Sequence, residues 1–139
     1  MLNKIIDAIS LKLQQEFGSG ITIYKEQIGQ GEVTPCFFIL LQSSNRKKMI
    51  GTRYFKEQKF AINYHPATTN KNAEILDIIE RLNKALEYIS VDNDLFRGTK
   101  MSCEIVNSIL NFSVNYNFFI YEEAETTNTM ESVLVDTGI

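Results

Sequence analysis

A chain of 139 residues with 44% hydrophobic and 22% charged side chains fits one globular domain and excludes a wholly disordered polymer. No stretch approaches the ~20 apolar residues that span a bilayer, and Asp7, Lys12 and Glu16 break the N-terminal run that a signal peptide would keep apolar; no membrane partner and a cytoplasmic location are expected. The net charge of −3 hides an asymmetry, because residues 122–139 hold five carboxylates and no Lys or Arg, which leaves the rest slightly basic.

Leu2, Ile5, Ile6, Ile9, Leu13 and Phe17 recur at helical spacing, with Asn3, Lys4, Asp7, Lys12 and Gln15 off the stripe. The pattern predicts an amphipathic helix over 2–17, stopped by Gly18 as a C′ cap. Ile21 to Tyr24 alternates and is rich in β-formers, so it reads as a strand. Gly29, Gly31 and Pro35 mark a loop. Cys36 to Leu41 is a dense apolar run of strand length, Ser43 to Lys48 reads as a polar turn, and Met49 to Tyr64 is largely β-like. Residues 36–65 are therefore expected as a long hairpin with a basic tip, Phe60, Ile62 and Tyr64 on one face and Ala61, Asn63 and His65 on the other.

A second helical stripe, Ile75, Ile78, Ile79, Leu82, Ala85, Leu86 and Ile89, predicts a helix over 72–89 with Asn72 as N-cap. Val91 to Gly98 carries Asp92, Asn93, Asp94 and Gly98 and reads as a loop with room for a short strand. Lys100 to Val106 reads as a strand, followed by a two-residue turn at Asn107-Ser108. Leu110, Phe112, Val114, Tyr116, Phe118 and Ile120 then alternate with Asn111, Ser113, Asn115, Asn117, Phe119 and Tyr121, a period of two that predicts a strand with one buried face. Residues 122–139 read as an acidic flexible tail beyond a domain of 1–121. The expected fold is α+β, with a mainly antiparallel sheet of about five strands in the order α-β-β-β-α-β-β and two helices on one face.

Catalytic patterns are missing from the sequence. It has no GxGxxG, no P-loop and no Gly-x-Ser-x-Gly elbow. One histidine and no CxxC pair leave a structural zinc site without ligands. Asp92-Asn93-Asp94 lacks the later Gly and Glu of an EF-hand loop. Cys36 and Cys103 sit in apolar runs and are expected as buried, inert thiols. No cofactor and no enzymatic activity are expected. The run Arg46, Lys47, Lys48, Arg53, Lys56 and Lys59, opposed only by Glu57, has three readings: a solvated tip, a protein contact or a phosphate contact. Tyr54, Phe55, Phe119 and Tyr121 are either core or subunit-interface anchors.

Specific strings narrow these readings. They are Pro35-Cys36-Phe37-Phe38-Ile39, Gly51-Thr52-Arg53-Tyr54-Phe55, Ala85-Leu86-Glu87-Tyr88-Ile89 leading into Asp92 to Leu95, Arg97-Gly98-Thr99-Lys100-Met101, and Leu110 to Tyr116 ending Val-Asn-Tyr. With the helix-first layout, the chain over 1–121 resembles phage tail terminator proteins from phages and prophages of Gram-positive bacteria. That resemblance implies a structural role: a hexameric ring on the end of the tail tube that stops polymerisation and offers a docking face for the head–tail connector. The implied partners are further copies of the chain, the tail tube protein and the connector, with DNA only passing through the lumen. The implied locations are the bacterial host's cytoplasm during assembly and then the virion tail. The hairpins of such proteins contribute ring contacts, which makes Arg46, Lys47, Lys48, Arg53, Tyr54 and Phe55 the candidate subunit and tube interface. Glu26, Glu32 and Glu57 are candidate acidic counterparts. A ring that forms only on the tube end implies weak contacts, and a monomer, in free solution. A secretion-chaperone-like dimer holding a client is the competing reading, and the basic hairpin counts against it.

Overall fold

The computed structural model describes residues 1–26, 31, 33–67 and 71–121. The acidic segment 122–139, Gly29 of the expected loop and Glu32 fall outside them. Helix α1 spans Leu2–Phe17, and a 3-10 turn follows at Gly18–Gly20. Strands β1 (Thr22–Tyr24), β2 (Cys36–Lys48) and β3 (Arg53–His65) precede helix α2 (Lys71–Ala85). Strands β4 (Tyr88–Val91), β5 (Asp94–Val106) and β6 (Ile109–Tyr121) complete the chain. The six strands form one curled sheet in the order β1-β2-β3-β6-β5-β4, antiparallel except for β1 beside β2.

Both helices cover one face of this sheet. Ile5, Ile9 and Leu13 of α1 and Ile75, Ile78 and Leu82 of α2 pack on Phe37, Ile39, Phe60, Ile62, Leu110, Phe112 and Val114. Full burial of one such side chain is worth about 1.5–3 kcal/mol, so this layer holds the domain together. The helices are also tied to each other, since Arg81 lies 2.9 Å from the Glu16 carboxylate and its guanidinium stacks 4.4 Å over Phe17. Gly18 ends α1 at φ 76, a conformation open to glycine, and its N–H donates to the carbonyl of Gln14.

Three expectations about the elements need correction. Helix α2 stops at Ala85 rather than running to 89, and Ile89 sits on a sixth strand, β4. The Leu86 N–H still bonds Leu82 O at 3.0 Å, but Gly98 N–H then takes the Glu87 carbonyl at 2.7 Å, so sheet pairing captures the backbone. The expected loop at 91–98 is mostly strand, with Asp92 and Asn93 alone in the turn between β4 and β5. Asp92 and Asn93 carry φ of 51° and 69° between the paired residues Val91 and Asp94, where Asn and Asp are well tolerated. The expected polar turn at 43–48 is strand; the chain reverses at Met49 to Thr52, with Gly51 at φ 71.

The Asn107-Ser108 turn stands as expected, with both residues at positive φ between the paired Val106 and Ile109. The face assignments in β3 and β6 also stand. Cys36 is buried as expected, but Cys103 is exposed because its half of β5 lies at the open side of the sheet.

Candidate assembly surface

Strands β2 and β3 pair over their whole length, from Cys36 opposite His65 to Lys48 opposite Tyr54. Strand β6 follows β3 to the same end, with Tyr121 opposite Arg53. Only the first half of this three-stranded blade lies beneath the helices. On β2 the burial is complete from Cys36 to Ile39 and gone from Leu41 to Lys48. A strand free of helix cover has no need of apolar residues on either face, which is why this half is polar and basic.

Opposite residues in a ladder share a face, so the register sorts the candidate residues. Arg46, Lys48, Tyr54 and Lys56 continue the helix-covered face, and the Arg46 guanidinium lies 4.0 Å over the Tyr54 ring. Lys47, Arg53 and Phe55 point to the outer face with Phe119 and Tyr121. There Phe55 and Phe119 rings are 4.8 Å apart, and Arg53 sits 4.2 Å over Phe119. The six candidates thus share one hairpin end but divide between two surfaces. Arg46, Lys47, Lys48 and Arg53 are exposed, while Tyr54 and Phe55 are half-buried.

Among the acidic counterparts, Glu57 is engaged within the hairpin, 3.4 Å from Lys47. Glu26 is exposed near β1. The sequence reading missed the apolar turn residues: Ile50 is 95% exposed, with half-exposed Met49 beside it. An apolar dipeptide between two polar strand ends was the available signal. Phe119 and Tyr121 are also exposed, which settles the Tyr121 ring outside the core.

The outer sheet face has an open concavity of about 630 Å³, lined by Leu40 and Ala61 together with Lys59, Asn63, Glu104 and Asn111. Cys36 and His65 do face each other in register, yet Cys36 is wholly buried and its sulfur is out of reach of a substrate. The phenols of Tyr64 and Tyr116 are pushed up by burial, and Tyr64 also by its hydrogen bond to Glu74. Both belong to the core. Among the described residues no group of three His, Cys, Asp or Glu side chains is placed to hold a metal ion, and no helix is long and apolar enough to cross a membrane.

A search of curated protein sequences returned no match. Among solved structures, the chain resembles the PVC sheath/tube terminator of an extracellular contractile injection system in its extended state, with a TM-score of 0.53 and 13% identity. The likeness covers 99% of this chain and 64% of that one, and it shows a shared fold. The sequence profile of the phage tail terminator proteins matches residues 4–128. The chain belongs to the phage tail terminator protein family.

Proposed function

We propose that this protein ends a phage tail tube by forming a hexameric ring on it, which stops further addition of tube subunits and presents a face to the head–tail connector. The family match over residues 4–128 carries the reading. The geometry supports it. A closed ring needs two different patches on each subunit, one for each neighbour. The blade end of β2, β3 and β6, with exposed cations and the Met49-Ile50 turn, is one such patch. The outer concavity, a mostly polar surface that includes Lys59 and Glu104, is a second. Charge at such a seam sets register and encounter rate more than affinity. Cations on the blade also suit a lumen through which DNA passes. The protein acts in the host cytoplasm during assembly and stays in the virion tail, as a structural part and not a catalyst.

Purified protein added to growing tail tubes tests this. Capped tubes of fixed length with a ring visible at one end by negative-stain imaging support the reading. Tubes that keep lengthening at saturating protein overturn it.

A further inference from the structure

One rung of the ladder crosses four strands. Ser43 of β2 pairs with Lys59 of β3, Lys59 with Asn115 of β6, and Asn115 with Thr99 of β5. Paired residues share a face, and this rung stands on the outer face, away from the helices. Ser43, Lys59 and Asn115 line a recess of about 260 Å³ there, together with Asn45, Glu57 and Lys100. The next rung on that face sets two short side chains, Ala61 and Ser113, beside Lys59 and Asn115, which leaves the space open.

Lys100 reaches the recess through an irregular backbone. The register of β5 against β6 breaks between Thr99 and Ser102, so Lys100 and Met101 together stand opposite Val114. Strict alternation after Thr99 would aim Lys100 at the core and Met101 outward. The bulge reverses this. Met101 packs against the core, and Lys100, at φ 51°, lines the recess. A lysine rarely adopts that φ, and bulges of this kind re-aim a side chain.

Two lysines thus flank an asparagine that is 8% exposed. The main-chain carbonyl of Asn115 accepts from the Thr99 hydroxyl at 3.4 Å, but its side-chain amide has no hydrogen-bond partner among the described residues. A sunken amide calls for a partner, and the recess is the direction from which one can reach it. Lys59 and Lys100 have no carboxylate partner among the described residues. Glu57, the recess's only carboxylate among them, lies 3.4 Å from Lys47. Glu104 pairs with Asn111, four residues and about 13 Å along the sheet from Asn115.

We propose that Lys59, Asn115 and Lys100 bind a phosphate group in this recess. Two ammonium groups match a dianion. With the Asn115 amide and the Ser43 hydroxyl they offer more donors than a carboxylate can accept. A carboxylate suits the flat fork of an arginine, whereas lysines serve phosphate as point charges. The phosphate is either free or part of a DNA backbone. The site does not rest on the terminator reading.

Titration of inorganic phosphate into the full chain at constant ionic strength tests the site, followed by NMR of the Asn115 side-chain amide and the backbone amides of Ala61 and Thr99. These resonances should shift saturably. The double variant Lys59→Gln, Lys100→Gly should bind roughly tenfold more weakly or worse. Glycine suits the φ at position 100, and melting checks that the variant folds. Asn115→Asp, which sets a carboxylate between the lysines, should bind no phosphate and melt no lower than wild type. Shifts that do not saturate overturn the proposal. So does equal phosphate affinity in wild type and either folded variant. A short DNA duplex titrated in parallel identifies the source. Loss of duplex affinity in the double variant, with a salt slope smaller by about 2, assigns the site to backbone phosphate. Unchanged duplex binding assigns it to free phosphate. Tube capping is scored separately, so the site and the terminator reading can fail independently.

Discussion

The hydroxyl of Tyr116 donates to the main-chain carbonyl of Leu86 at 2.6 Å, joining the middle of β6 to the point where α2 ends. Tyr116 is wholly buried, and this is the polar contact that lets its phenol sit in the core. Tyr116→Phe removes the donor and leaves that carbonyl without its bond. The expected cost is about 1–3 kcal/mol, read from urea denaturation midpoints. An unchanged midpoint would show that the carbonyl finds another donor.

Gly98 lies against the same carbonyl. A Cβ there would sit 2.6 Å from Leu86 O and 2.9 Å from Val114 Cγ2. One of these neighbours is backbone and cannot swing away. Gly98→Ala should therefore cost about 3 kcal/mol, the upper end of overpacking penalties. Gly51→Ala meets nothing within 4 Å and bears only its φ of 71°, for about 1 kcal/mol. Thermal unfolding of the two variants should rank them in that order.

Alkaline pH should destabilise the domain through its core tyrosines. Burial raises both phenols, with Glu74 adding to the effect at Tyr64. In the unfolded chain they ionise near the ordinary value of about 10. An acid whose folded pKa is raised contributes stability that is whole below the unfolded value and is lost as pH climbs above it. Denaturation midpoints from pH 8 to 11 should fall above pH 10. The fall should be shallower in Tyr116→Phe, and a parallel fall would remove Tyr116 from the account.

The side-chain amide of Gln58 is buried with no protein partner for either polar atom among the described residues. Its backbone N–H donates to Asn117 Oδ1 at 3.2 Å. Gln58→Met keeps the length of the side chain and removes the stranded amide. It should stabilise the protein by about 1 kcal/mol, seen as a higher melting temperature.

Changing Arg46, Lys47 and Lys48 together to Glu should leave circular dichroism and melting close to wild type, because all three are exposed. Such surface positions usually move stability by less than about 0.5 kcal/mol each. Tail completion should fail or slow. Normal tails from the triple variant would remove the hairpin end from the assembly surface.

The sequence was most legible where burial is one-sided. The period of two in β6 and at Phe60, Ile62 and Tyr64 exists because one face meets the helices and the other does not. Legibility failed where one residue suits two patterns. Ile89 continues the helical stripe of α2 by spacing, yet Tyr88 to Val91 also alternates exposed and buried, and only the partner strand β5 decides between them. Ser43 to Lys48 looked like a turn because polar residues end strands that lie in a core, and this strand runs out of the core. The basic run of the candidate surface was visible as composition. Its division into two faces was not, because that depends on a register break between Leu41 and Ser43 that leaves no mark in the residue types.

That break has a consequence for how this strand tolerates change in length. Leu41 pairs with Phe60 and Ser43 with Lys59, so the residue between them, Gln42, has no opposite number. Excising it would leave every rung of the ladder where it stands, and each side chain on its present side. The strand is spliced at this position, its apolar segment and its charged segment joined by a removable spacer, and insertions and deletions that separate relatives within this strand should gather there.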